Sequence, residues 1–301
     1  MPAGRFGMSR GLEAVAITLV AFLFLPQALA AQGGTDIWVA TFHEVGGHVS
    51  IGRPQNVTRR AGYDNQPAFT ADGRALFYTS IREDAQADIW RVPVSGGAPV
   101  RVTDTPESEY SATLMPDGLS ISVIRVERDS TQRLWRLPLD GGSPALVLRA
   151  LRPVGYHVWV GDHTLGAFVL GSPNALVVVD ARTEHADTVA REIGRALVRI
   201  PGRDAFSFVE VGGDTSWISE VDVRTHSVQR LAPAPKGADY HLWTPGAQLI
   251  AGSGTRLWIR IDGRWDVVAD FAELGVRGIT RFALSPAGDR IAFVAEDAPA
   301  P

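Results

Sequence analysis

Short apolar runs alternate along this chain with clusters of glycine, proline and aspartate, and the apolar runs return at a steady interval. Phe69-Thr70-Ala71-Asp72-Gly73 leads into the strand-like run Ala75-Leu76-Phe77-Tyr78-Thr79. Leu114-Met115-Pro116-Asp117-Gly118 leads in the same way into Ile121-Ser122-Val123-Ile124, and Leu284-Ser285-Pro286-Ala287-Gly288 into Ile291-Ala292-Phe293-Val294. Trp159 and Trp243 hold the anchor place in degenerate copies, and Ile200 before Pro201-Gly202 marks a sixth. The six anchors stand 45, 45, 41, 43 and 41 residues apart. Runs this short, bounded by turn residues, predict strands. A repeat of about 40–45 residues is the length of one four-stranded propeller blade.

Each copy continues with a third strand: Asp88-Ile89-Trp90, Arg133-Leu134-Trp135, Leu176-Val177-Val178-Val179, Ser216-Trp217 or Arg256-Leu257-Trp258. Turns such as Ser95-Gly96-Gly97 and Asp140-Gly141-Gly142 follow, where glycine takes up the positive φ of a tight hairpin. Fourth strands are expected at Pro99–Thr103 and Pro144–Leu148. The last copy stops near Ala295 after two strands, while the N-terminal Asp36-Ile37-Trp38 repeats Asp88-Ile89-Trp90. The expected fold is therefore all-β: a six-bladed β-propeller whose N-terminal strands (about 36–58) complete the blade begun by the C-terminal strands (about 280–295). Such closure hides the strand edges that invite aggregation. No composition shift divides residues 32–301, which are expected to form one domain.

The copies carrying Leu114-Met115-Pro116-Asp117-Gly118 and Asp88-Ile89-Trp90 resemble the WD40-like (PD40) repeats of the TolB family of periplasmic propellers. Similar repeats build the non-catalytic propellers of prolyl-oligopeptidase-type and dipeptidyl-peptidase-IV-type enzymes. The resemblance implies the fold. TolB proteins carry an α/β domain before the propeller, whereas here the repeats begin almost directly after the N-terminal apolar stretch. A role in the Tol–Pal system is therefore not implied, and no hydrolase domain follows that would imply a peptidase.

That stretch changes the picture of where the protein works. Arg5 and Arg10 precede the apolar segment Ala14–Leu25, and Ala28-Leu29-Ala30-Ala31 offers a small-residue cleavage site, the layout of a secretory signal peptide over residues 1–31. The apolar core is short against the roughly 20 residues of a membrane span. Cysteine is absent, so neither disulfides nor a lipobox anchor are available. A periplasmic or secreted monomer with no stable membrane span after cleavage is expected. With 29 basic and 33 acidic residues and no basic run, nucleic acid is not an expected partner.

Two strings suggest chemistry and do not carry it. His43-Glu44-Val45-Gly46-Gly47-His48 spaces its histidines five apart across two glycines, whereas a helical zinc site needs i and i+4; a surface hairpin is expected instead. Asn56-Val57-Thr58 matches a glycosylation sequon but falls in a predicted strand. No G-x-S-x-G elbow is present. No catalytic residue, metal ligand or cofactor is assigned.

The constellation that stands out is Tyr156-His157-Val158-Trp159, repeated as Tyr240-His241-Leu242-Trp243. Both lie where one blade crosses into the first strand of the next, at a mouth of the central channel. Because strand residues alternate faces, the tryptophans should pack between blades while a Tyr or His of each pair reaches the channel. The matching positions elsewhere include Gln66, Ser111 and Arg281. The expected binding site is thus Tyr156, His157, Tyr240, His241, Gln66 and Arg281, for an envelope protein or a small polar or peptide ligand. The expected function is non-enzymatic binding. The alternatives are a lactonase-type propeller hydrolase, or an accessory propeller gating a separately encoded peptidase.

Overall fold

A strand buried on both faces has no polar face to alternate with, and the central strands of this protein obey that rule. In the strand Arg290–Glu296, Ile291, Phe293 and Ala295 enter one buried cluster while Ala292 and Val294 enter another. In Ala175–Asp180, Val177 and Val179 join one cluster and Leu176 and Val178 the next. The core is accordingly a series of apolar layers between neighbouring sheets.

The computed structural model describes residues 34–82 and 84–297; the expected signal peptide and its cleavage site lie outside them. The described chain opens with β1 (Thr35–Val45), β2 (His48–Ile51) and β3 (Gln55–Asn56). Next come β4 (Tyr63–Phe69), β5 (Ala75–Ile81), β6 (Ala87–Pro93) and β7 (Val100–Arg101), hydrogen-bonded in that order. The same four-strand order recurs in β8 (Ser108–Leu114), β9 (Ser120–Val126), β10 (Gln132–Pro138) and β11 (Ala145–Leu146). It recurs again in β12 (Val154–Trp159), β13 (Thr164–Val169), β14 (Ala175–Asp180) and β15 (Ala186–Arg191). Two further sheets are β16 (Ile193–Arg199) to β19 (Val228–Pro233), with β17 (Ala205–Glu210) and β18 (Trp217–Asp222) between them, and β20 (Tyr240–Trp243) to β23 (Arg264–Asp270), with β21 (Leu249–Ser253) and β22 (Arg256–Ile261). The described chain closes with β24 (Thr280–Leu284) and β25 (Arg290–Glu296). Among the described residues the one helical element is a 3-10 turn at Ala272–Leu274, and no helix is long and apolar enough to cross a membrane.

The two ends of the described chain meet in one sheet. β1 pairs antiparallel with β25 from Thr35 opposite Glu296 to Thr41 opposite Arg290, and its Trp38 and Val39 pair with Asn56 and Gln55 of β3. The order β24–β25–β1–β3 is therefore continuous. A feature the repeat did not foretell is a parallel bridge from Thr35 to Tyr63, which joins this set to β4–β7 as one nine-stranded network.

The repeat's conserved-looking letters within the chain have local reasons. Asp72 Oδ1 accepts the Arg74 N–H at 3.0 Å, and Asp117 Oδ1 accepts those of Leu119 and Ser120 at 2.9 and 3.0 Å, closing the turn after the first strand. Gly73 and Gly118 take φ of +67° and +65° there. The N–H groups of Ile37 and Ile89 donate to Thr58 and Thr103 hydroxyls at 3.0 and 2.9 Å. Those side-chain bonds replace ladder bonds, and prolines 99 and 144 lack an N–H, so the expected fourth strands contract to Val100–Arg101 and Ala145–Leu146. Asn56 donates its amide to Asp36 at 2.7 Å, which makes the sequon a strand-pairing device.

The His43–His48 string forms the β1–β2 hairpin around Gly46-Gly47. Its Glu44 is a latch: it accepts the Thr244 hydroxyl at 2.8 Å and the Gly246 N–H at 2.9 Å, tying β1 to the turn after β20.

Where two sheets meet closely a glycine is required. A Cβ at Gly166 would sit 2.5 Å from Phe206 Cζ, and the Phe206 ring is fully buried. Gly166→Ala should cost about 1–3 kcal/mol, read as a lower urea midpoint at unchanged slope. An unchanged midpoint would show that the β12–β15 and β16–β19 sheets can part at no cost.

Candidate binding site

First strands of all the sheets converge on one cavity of about 360 Å³, lined from β4, β8, β12, β16, β20 and β24. Gln66, Ser111, Tyr156, Tyr240 and Arg281 border it, as does Arg195. His157 and His241 border it too, but their rings are committed elsewhere. His157 Nε2 lies 2.6 Å from Ser122 Oγ on β9, and Trp159 Nε1 donates to the same oxygen at 2.9 Å. His241 and Trp243 grip Ser207 on β17 identically, at 2.6 and 2.8 Å. Each Tyr-His-x-Trp string thus divides by alternation. His and Trp share the face that clamps a serine of the preceding sheet, and Tyr takes the other face.

A serine against a histidine at 2.6 Å invites a catalytic reading, and the surroundings argue against it. Each serine oxygen already accepts an indole N–H and lies 3.3 Å from a main-chain carbonyl, Thr113 or Val198. Each imidazole Nδ1 has no partner among the described residues. A buried bare acceptor is better tolerated than a buried unpaired N–H, so the network assigns the proton to Nε2, which donates to serine. A histidine in that tautomer cannot take the serine proton. The pair recurs unchanged in two sheets, which suits an inter-sheet clamp.

The cavity's uncommitted groups are hydrogen-bond donors. Gln66 is 9% exposed, and its Oε1 accepts from Thr79 Oγ1 at 2.7 Å and from Ser111 N–H at 2.8 Å. A backbone N–H can only donate, so this atom must be the oxygen, and the amide nitrogen is left without a partner among the described residues. Ser111 Oγ is buried and unpartnered. Arg281 reaches from β24 to donate to the Tyr156 hydroxyl at 3.0 Å, and its guanidinium carbon lies 5.0 and 4.9 Å from the Tyr156 and Tyr240 ring centroids. Burial raises the pKa of Tyr240, and of Tyr63 and Tyr110 nearby, keeping these phenols protonated.

Of the residues expected at the site, the structure brings Gln66, Tyr156, Tyr240 and Arg281 to the cavity with side-chain groups to offer, and places the rings of His157 and His241 in the clamps. Arg195 was not foreseen: it lies in the copy with the weakest anchor, and β16 carries a bulge between Ile193 and Leu197 that upsets counting from Ile200. Asp239 lies in an adjoining cavity with Arg195. A larger groove of about 620 Å³ lies between β4–β7 and β8–β11, but its Arg101 and Arg125 are ion-paired with Asp88 at 2.7 Å and Glu109 at 3.0 Å.

No protein-family model matches the sequence, and no curated protein matches it. Solved structures do resemble it. TolB from Agrobacterium tumefaciens superposes with a TM-score of 0.66 at 16% identity, over 88% of this chain and 99% of that one. A gluconolactonase from Xanthomonas campestris gives 0.59 at 12% identity, over 78% and 86%. TolB from Acinetobacter baumannii gives 0.54 at 12% identity, over 87% of this chain and 64% of that one. Likeness at such identity defines the fold: the four-stranded sheets are those of a β-propeller. Within that class the fold is TolB-like.

Burial holds both clamp histidines at a pKa of about 3. The unfolded chain protonates them near 6.5. Their contribution to stability is therefore whole above pH 6.5 and is lost progressively as pH falls toward 3, by on the order of 1.4 kcal/mol per pH unit for each histidine. His157→Gln should make the fall in unfolding free energy between pH 6 and 4 shallower by about one proton's worth, measured by urea titration at each pH. An identical pH profile for variant and parent would contradict neutral burial of His157.

Proposed function

We propose that this protein is an exported six-bladed β-propeller, a single monomeric domain over residues 32–301, that works by binding a small polar or peptide ligand in its central channel. Six anchors, the shared cavity of the first strands and the continuous order β24–β25–β1–β3 support six blades closed by the chain ends. The leader carrying Arg5, Arg10 and Ala28–Ala31 supports a periplasmic or secreted location.

One observation carries the binding reading. The Gln66 amide nitrogen, which has no partner among the described residues, and the Arg281 guanidinium, which has no carboxylate partner among them, converge on one cavity beside the hydroxyls of Tyr156 and Tyr240. Concave sites with a few convergent polar groups are where ligands bind. Binding rather than hydrolysis is favoured because the two Ser–His pairs are locked as clamps. A lactonase-type cation would need several oxygen ligands of carboxylate or amide type, and the cavity lining supplies no carboxylate.

Hydrogen exchange of the mature protein, with and without a small-molecule extract of the producing cell's envelope, tests this. Protection should concentrate at Gln66–Ala68, Tyr156–Val158, Tyr240–Leu242 and Arg281–Ala283, and weaken in the Tyr156→Phe/Tyr240→Phe double variant. Protection confined to the hairpin at 127–131 would sink the channel reading.

A further inference from the structure

Resting on that channel reading, we propose that the group recognised in the cavity is a carboxylate, held in the plane of the Arg281 guanidinium. The first argument is charge. Arg195 and Arg281 are the charged residues of the lining, and no acid lines it. The buried Arg125 is paired with Glu109 at 3.0 Å, and the part-buried Arg101 and Arg60 with Asp88 at 2.7 Å and Asp64 at 2.9 Å. Arg281 has no carboxylate within ion-pair distance among the described residues; its neighbours are neutral phenols. A guanidinium taken out of water without a counter-ion is destabilising, and an incoming anion removes that penalty.

The second argument is backbone geometry. Arg281 has φ of +42°, and the residues at the same repeat position in two other first strands, Gln66 and Ser111, have +58° and +55°. At each of the three the strand register skips, marking a bulge. Non-glycine residues in the left-handed region are strained, and such strain gathers where side chains serve a ligand. A bulge re-aims its side chain, and all three residues border the cavity.

The third argument is shape. The planar guanidinium fork matches a planar carboxylate with two parallel bonds. The Gln66 amide, the Ser111 hydroxyl and the Tyr156 and Tyr240 hydroxyls supply neutral donors around it. Ala68, Ala112, Leu242 and Phe282 give the remaining wall an apolar character suited to a short carbon skeleton. One enclosed guanidinium balances one carboxylate; Arg195 stands exposed at the rim. The cavity, about 360 Å³, is at the small end for ligand sites. The carboxylate would belong to a peptide C-terminus or to a small organic acid.

The test is calorimetric titration of the mature protein in Tris-chloride, free of carboxylates and phosphate, with N-acetyl-alanyl-alanine, its C-terminal amide, butyrate and inorganic phosphate. The dipeptide acid should bind at least about thirty-fold more tightly than its amide, as expected for a charge-assisted bidentate pair. Butyrate binding as tightly as the dipeptide acid would assign the site to small acids; much weaker butyrate binding would assign it to peptide termini. Arg281→Met should abolish the preference for acid over amide, and Arg281→Lys should retain only part of it. Thermal unfolding without probe separates ligand recognition from a structural role: Arg281→Met should match or exceed the parent in Tm. A lower Tm, equal binding of acid and amide, or a preference for phosphate would overturn the proposal. Equal binding that is still lost in Tyr156→Phe/Tyr240→Phe would overturn the carboxylate while leaving the channel reading intact. If no probe binds, the carboxylate proposal fails, and the exchange experiment decides the channel reading by itself.

Discussion

The pairing of β1 with β25 is the contact on which the arrangement of the other sheets rests. Both strands are buried on both faces, with Ile37 and Val294 entering one apolar layer and Phe42 and Phe293 another. Apart, each would expose a row of unpaired backbone groups beside two apolar surfaces, the situation that drives edge-to-edge association. Together they let the layer next to β20–β23 and the layer next to β4–β7 form at once. The Glu44 latch onto Thr244 and Gly246 continues the same junction outward along β1.

Around the cavity, one strand serves two purposes through period-two alternation. In Tyr156-His157-Val158-Trp159 the odd-numbered side chains hold the preceding sheet through Ser122, and Tyr156 offers its hydroxyl to Arg281. Rigidity and recognition are therefore adjacent in sequence but separate in space. Histidines that look reactive are part of the frame, and a cation without a carboxylate partner among the described residues faces the cavity.

Much of this was legible in the chain. The anchors, the Asp-Ile-Trp strands and the match between Asp36–Trp38 and Asp88–Trp90 identified the strands and the meeting of the ends, because turns and two-sided burial are encoded locally. The Tyr-His pairs were also visible. Their division of labour was not, because it depends on where Ser122 and Ser207 of the preceding sheets lie. Arg195 was hidden by the β16 bulge, and Glu44's partners by their distance along the chain. Tyr63 and Tyr110 lie toward the N-terminal ends of their first strands, where the repeat has no recurring letter to mark them.

The junction of β1 with β25 also bears on how the molecule comes into being. A chain synthesised from its N-terminus presents β1 long before its partner β25. Until β25 arrives, the N-terminal strand has β3 and the β2 hairpin as antiparallel neighbours, and contacts so distant in sequence form slowly. Late pairing makes the arrival of β25 the event that commits the first and last described strands to a single sheet.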